Sequence, residues 1–216
     1  YPSGRVGFCH SEEEIIMYHF FVEPHQIGAE EIRIEGADVN HIRNVLRMKP
    51  GEEILISSRE GGDYFCRVEE LEPEYVSAKI LEEWENKELP ARIHLFQGLP
   101  KGDKMELIIQ KAVELGAYRV VPVSMKRSVV KLDAKKADAK RKRWNAVSES
   151  AAKQSKRSLI PEVAPLMTYK EAVKEAAGYD MVLLPYESAD GIRKTRELLA
   201  SVKPGTDIAV FIGPEG

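Results

Sequence analysis

The chain has 216 residues, 43% hydrophobic and 31% charged, with a net charge of −3: the balance of a water-soluble globular protein with one or two cores. No apolar run approaches the ~20 residues of a membrane helix, and residues 1–16 lack the basic start and apolar centre of a signal peptide, so a cytoplasmic protein is expected. Cys9 and Cys66 stand far apart, and His10, His19, His25, His41 and His94 show no ligand spacing, which argues against structural zinc or metal catalysis.

Residues 1–16 match no periodic template and precede Met17, so they read as an extension. Strand patterns then follow at Phe20–Val22, Glu31–Ile34, Glu53–Ser57, Tyr64–Leu71 and Tyr75–Leu81, with turn signals at Gly51, Gly61-Gly62 and Pro73. One short helical stretch interrupts them, with Val39, Ile42, Val45 and Leu46 at helical spacing. Short strands at this density predict a small β-barrel over residues 17–85. The acidic stretch Glu82–Pro90 contains the linker, at 86–90, to a second domain over 91–216.

Beyond Pro90 the rhythm changes to strand–helix alternation, the mark of a parallel sheet with helices on its faces. Strand Arg92–Leu99 leads to a helix at Lys104–Leu115, where Asp103 and Glu106 stand in capping-box positions and Gly116 closes the far end. Strand Arg119–Val123 and a long helix over about Asp138–Lys153 come next, then strand Met181–Leu184, helix Ile192–Ala200 and strand Asp207–Ile212. No element is assigned between residues 154 and 180.

The net charge hides an asymmetry. Ser124–Arg157 holds 12 Lys/Arg against three Asp/Glu, leaving the remainder at −12. Such a block suits a phosphate-rich partner, and equally a solvated helix face. Gln97-Gly98-Leu99-Pro100-Lys101-Gly102-Asp103-Lys104 joins a strand to a helix start, where backbone N–H groups and lysines suit an anion; a plain βα turn explains it as well. Lys126-Arg127-Ser128 and Gln154-Ser155-Lys156-Arg157 fall near successive sheet–helix junctions, where open α/β sheets bind ligands. Two strands end in a proline and an acid, Leu184-Pro185-Tyr186-Glu187 and Gly213-Pro214-Glu215-Gly216; together they could hold an adenosine. A nucleotide-dependent enzyme of another kind is disfavoured, because neither Gly-x-Gly-x-x-Gly nor a P-loop is present. The turn at Gly213–Gly216 follows a buried strand with nothing to cover it, so a continuation of the chain is expected.

His41-Ile42-x-x-Val45-Leu46-Arg47, Gly98-Leu99-Pro100-Lys101-Gly102-Asp103-Lys104, Gln110-Lys111-x-x-Glu114-Leu115-Gly116, Arg127-Ser128, Glu149-x-x-x-x-Gln154-Ser155-x-Arg157 and Gly213-Pro214-Glu215-Gly216 occur in this order. From Met17 to Gly216 the sequence resembles the RsmE family of ribosomal RNA small-subunit methyltransferases, in the SPOUT superfamily. The resemblance implies an α/β protein with an N-terminal PUA-like β-barrel and a C-terminal SPOUT methyltransferase domain carrying a trefoil knot. It implies S-adenosylmethionine as cofactor, methylation of uridine N3 in 16S rRNA of the 30S subunit, and a homodimer. It places Pro185, Tyr186, Glu187, Gly213, Pro214, Glu215 and Gly216 on the cofactor side. Lys101, Arg127, Arg141, Gln154 and Arg157, with Arg43 and Arg47 from the barrel, fall on the RNA side.

The catalytic base is unidentified; Arg127 is the candidate for stabilising charge on a uracil oxygen, with a phosphate contact as its other reading. The chain departs from the family at His19, where an arginine is usual. The family also continues past the Gly-Pro-Glu-Gly turn with a segment that completes the knot and closes over the cofactor. The expectation is therefore that these 216 residues alone bind cofactor poorly and are inactive. A non-catalytic rRNA-binding or ribosome-assembly protein is the alternative.

Overall fold

The computed structural model describes residues 17–59, 62–84, 88–125, 133–185 and 193–213. Two sheets organise it. The first contains β1 (Tyr18–Val22), β2 (Glu31–Glu35), β3 (Glu53–Ser58), β4 (Asp63–Leu71) and β5 (Tyr75–Trp84), in the order β1-β3-β4-β5-β2. Only β1 and β3 run parallel; the other pairs are antiparallel. Alternation turns one side of every strand inward: Phe20, Val22, Ile32, Ile34, Ile54, Ile56, Cys66, Val68, Val76 and Ala78 form a single core. Register shifts between β4 and β5 at Phe65/Cys66 and Val68/Glu70 help the sheet curl round that core. The helical stretch foreseen at Val39–Leu46 is α1 (Ala37–Asn40), continued by a π-helical turn over His41–Val45 that sinks Ile42 into the core. Burial pushes the Cys66 thiol up to about 12, so it packs as an inert apolar group; Cys9 lies outside the described residues.

The second sheet is parallel. Its elements are β6 (Arg92–Gly98), α2 (Lys104–Glu114), β7 (Arg119–Ser124), α3 (Ala134–Gln154), β8 (Glu162–Val163), β9 (Met167–Thr168), α4 (Tyr169–Ala176), β10 (Met181–Leu183), α5 (Arg193–Ala200) and β11 (Asp207–Ile212). The strand order is β10-β11-β6-β7-β8, with β9 also on β7. Period-2 alternation covers both faces. Val120 joins Met105, Ile109 and Val113 of α2 and Trp144, Ala151 and Ala152 of α3 on one side. Phe96, Val121, Val123 and Phe211 meet Ala172 and Ala176 of α4 on the other.

Pro122 stands in the middle of β7, where proline should break a ladder. Val123 O accepts from Leu99 N–H on the β6 side, and Val120 O accepts from Ala164 N–H on the other. The missing N–H of Pro122 therefore faces the neighbour on the β8 side, and that neighbour is split into β8 and β9 just there.

Three details differ from the sequence reading. Asp103 makes no side-chain cap on α2; Glu106 turns instead to Arg143 of α3, at 2.7 Å. Helix α3 starts a turn earlier than foreseen, capped by Asp133, whose carboxylate accepts from Lys136 N–H at 2.8 Å. Helix α4, not foreseen, is set by a capping box between Thr168 and Glu171.

The two sheets are not beads on a string. Phe21 of β1 packs into the core formed by α2 and α3, while Lys153 reaches Asp38 at 3.4 Å and Arg59 reaches Glu149 at 3.5 Å. Among the described residues no helix is long and apolar enough to cross a membrane, and no cluster of His, Cys, Asp or Glu could hold a metal ion.

Candidate functional site

The parallel strands β10, β11 and β6 end side by side, at Leu183, Ile212 and Gly98. This edge is where an open α/β sheet presents backbone to a ligand. Gln97 is buried here, its amide donating to Gly98 O at 2.9 Å and reaching Gly213 O at 3.5 Å, so it ties the ends of β6 and β11 together. Among the described residues, a Cβ built on Gly213 would meet no atom within 4 Å. Leu184 is 72% exposed and Ile212 also faces solvent. Open space above a glycine backbone, flanked by uncovered apolar side chains, fits the faces and edges of an adenosyl group. Pro185 is exposed at the same edge. Tyr186, Glu187, Pro214, Glu215 and Gly216 lie outside the described residues, as does Arg127.

The residues foreseen on the RNA side do not form one cluster. Lys101 is exposed on the turn before α2, at this same carboxyl edge. Arg141 lies partly buried midway along α3, 3.7 Å from Asp138. Gln154 is exposed at the far end of α3, across a cleft from the π-helical turn whose residues include Arg43; Arg47 follows that turn with a left-handed backbone, φ 55°.

Arg157 requires a correction. Its side chain is 8% exposed, with Nε 2.9 Å from both carboxylate oxygens of Glu88 and Nη1 2.8 Å from Val113 O and from Ala117 O. Nη2 also donates to Glu88. A guanidinium with its donors committed in this way is a buried staple, fixing the segment before β6 against α2 and the end of α3, and offers no fork to phosphate. Nothing local in the sequence marks this; Glu88 is 69 positions away.

Sequence reasoning also missed a buried polar chain in the barrel. His19, 7% exposed, has Nε2 2.7 Å from Ser57 Oγ, and Ser57 donates to Asp63. A carboxylate only accepts, so Ser57 gives it the hydroxyl proton and accepts from His19 Nε2–H. Nδ1 is then the bare nitrogen of a neutral imidazole, and it has no partner among the described residues. Burial, with Lys153 and Lys156 adding to it, lowers the pKa of His19 from 6.5 to about 4. The order His–Ser–Asp places serine in the middle, with the imidazole donating to it rather than taking its proton, so the three do not form a histidine-activated nucleophile. Asp63 stands directly opposite Ser57 across the β3–β4 pair, a register that only the folded sheet reveals.

A second charged group occupies the amino ends of the same parallel strands. Arg92 grips Asp207 at 2.7 and 2.6 Å, and His94 adds a contact at 2.8 Å. Above all Arg92 holds the Asp207 carboxyl far below the usual range. The cluster locks β11 to β6 at the end of the sheet away from Gly213.

A PUA domain ahead of an α/β catalytic domain is the build of an RNA methyltransferase, and both parts are matched: residues 34–81 by the RNA methyltransferase PUA domain and residues 87–216 by the RNA methyltransferase domain. The chain is 36% identical over 208 residues to the ribosomal RNA small subunit methyltransferase E of Bacillus subtilis, covering 93% of this chain and 81% of that protein. The ribosomal RNA small subunit methyltransferase E of Neisseria gonorrhoeae, solved bound to S-adenosylmethionine, is 30% identical with a TM-score of 0.71, over 92% of this chain and 80% of that one. A methyltransferase of Legionella pneumophila, also solved with S-adenosylmethionine, is 26% identical with a TM-score of 0.73, over 93% of this chain and 81% of that one. The chain belongs to the ribosomal RNA small subunit methyltransferase E family.

Proposed function

We propose that this protein methylates N3 of a uridine in 16S rRNA, using S-adenosylmethionine, as a cytoplasmic homodimer acting on the small ribosomal subunit. The observation that carries the reading is the junction of β10, β11 and β6, where Gly213 leaves open space beside uncovered Leu184 and Ile212. When bound, the cofactor supplies an electrophilic methyl group on a sulfonium. The chain's own residues bind and orient. Main chain at Leu184–Pro185 and at Gly213 edges the adenosyl group, Leu184 and Ile212 wall it, and Gln97 holds the two strand ends in register. Tyr186, Glu187, Pro214, Glu215 and Gly216 are assigned to the same pocket from the sequence.

Uridine N3 lies on the base-pairing edge, so the target must be unpaired or flipped out. N3 also carries a proton that has to leave as the methyl arrives, which favours a site that stabilises negative charge on the uracil oxygens. Arg127 is assigned that role. Lys101 and the exposed lysines of the first half of α3 stand at the same end of the sheet and provide positive potential for the RNA backbone. For the dimer, support comes from exposed Tyr169, Val173 and Val182, an apolar face on α4 and β10 that a second subunit can cover.

The test, made on the full-length protein, is methyl transfer from labelled S-adenosylmethionine to 30S subunits from a strain lacking the modification, followed by nucleoside analysis. 3-Methyluridine at one position is the expected product; transfer to carbon or ribose, or binding without transfer, refutes the reading.

A further inference from the structure

A slot of about 330 Å³ opens between the first half of α3 and the link from β8 to β9, lined by Ala137, Asp138, Arg141, Pro165 and Leu166. Its two walls are fixed to each other. Asn145, one turn beyond Arg141 on the same helix face, accepts from Val163 N–H at 3.0 Å and donates to Val163 O at 3.1 Å. Buried Ser148 donates to Pro161 O at 2.6 Å. The helix is thereby stitched to the strand that leads into Pro165 and Leu166. The slot also stands at the working edge of the sheet, because Gly98 of β6, Val123 of β7 and Met167 of β9 lie in one row across it. Two strand spacings put Met167 roughly 10 Å along that edge from Gly98.

The lining decides what fits. Arg141 presents a partly buried guanidinium, 3.7 Å from Asp138, too far for a hydrogen bond. Asp138 turns its other oxygen to Lys142 at 3.3 Å. A phosphate drawn to Arg141 would meet the carboxylate of Asp138. An apolar side chain would strip water from both charges and answer neither. A flat, neutral ring with N–H groups on its edge meets every wall: one face lies on the guanidinium, the other on Pro165 and Leu166, and an edge N–H donates to Asp138. A nucleobase has this shape and this edge.

We propose that this slot seats one unpaired base of the rRNA beside the target uridine, stacked between Arg141 and Pro165–Leu166, and so sets which nucleotide stands at the methyl donor. The proposal rests on the rRNA methyltransferase reading and adds a specificity element to it. Arg141 acts through its planar face rather than its charge, which separates the slot from the general attraction of RNA by the lysines of α3.

The experiment measures methyl transfer by the full-length protein to 30S subunits over a range of salt concentrations, for the wild type and for Arg141→Lys, which keeps the charge and loses the plane. The variant should lower kcat/KM for the subunit roughly tenfold, with cofactor affinity and the slope against salt unchanged. Proton–nitrogen NMR of arginine-labelled wild-type protein reads the stacking without any variant. The Nε–H signal of Arg141 should move upfield, through the ring current of a stacked base, on adding a single-stranded RNA oligonucleotide that carries the target uridine and its neighbours. It should not do so with an abasic ribose–phosphate chain of equal length. Wild-type kcat/KM in Arg141→Lys, or an equal shift with the abasic chain, overturns the proposal. Absence of methyl transfer by the wild type marks failure of the underlying reading instead, and the shift of Arg141 then still decides the slot.

Discussion

Replacing Arg157 separates a structural role from an RNA-binding one. Arg157→Met keeps much of the volume and removes the guanidinium. Glu88, 13% exposed, then loses its charged partner while keeping the N–H groups of Ser158 at 2.8 Å and Leu159 at 3.3 Å, and the carbonyls of Val113 and Ala117 each lose a donor. Breaking a buried pair in this way destabilises by about 3–5 kcal/mol, chiefly because a buried carboxylate loses its opposite charge. In a chain of this size that corresponds to a fall in Tm of roughly 10 °C. Glu88→Leu combined with Arg157→Met should recover part of the loss, because two apolar groups replace two charges and no ion is left stranded. Thermal and urea unfolding measure the stability, and filter binding at low temperature, where each variant is folded, measures RNA affinity. A variant with unchanged Tm and RNA affinity reduced tenfold or more would refute the structural assignment and return Arg157 to the RNA surface.

Three further outcomes are expected. Gly213→Val should leave Tm nearly unchanged, since its Cβ meets no atom of the described residues, yet weaken S-adenosylmethionine binding of the full-length protein by roughly tenfold or more in calorimetry, because the new side chain occupies the adenosyl space. Arg127→Ala should lower methyl transfer to 30S subunits by roughly 100-fold with cofactor affinity unaltered, as expected for a group acting on the charge of the reacting base; unchanged transfer removes the residue from the mechanism. His19, brought from 6.5 to about 4 by burial and by Lys153 and Lys156, makes stability depend on pH. Between those values the unfolded chain takes up a proton that the folded one refuses, so stability falls as pH drops from 6.5 toward 4, by up to about 3 kcal/mol. Urea titrations at a series of pH values should show this fall in the wild type and a shallower one in His19→Phe; parallel curves would contradict the environment assigned to His19.

Much of the architecture was legible because it is written in short-range periodicity. Alternation in β3 to β5 and the apolar face of α2 are local, and each strand in the second domain is bounded by its own turn. What escaped has particular causes. The region of β8, β9 and α4 has two-residue strands too short for a period to show, though Thr168 and Glu171 at capping-box spacing announce α4. The early start of α3 was likewise available in Asp133. The roles of Arg157 and His19 were not available locally, because each depends on a partner more than 35 positions away.

Arg157 and the lysines of α3 show why a basic run cannot be assigned from charge alone. In the first half of the helix Lys135, Lys136 and Lys142 are exposed, so that half is a true electrostatic surface at the methyl-transfer end. In the second half Trp144, Ser148, Ala151 and Ala152 are buried, Glu149 and Lys153 reach across to Arg59 and Asp38 of the barrel, and Arg157 beyond the helix is enclosed. The same composition thus serves two ends in succession: an exposed positive face near the carboxyl edge of the sheet, where the proposed function places RNA, and fixation of the barrel at the other. The discriminating feature is interleaving with small and apolar residues, which turns a cationic helix face into a packed one.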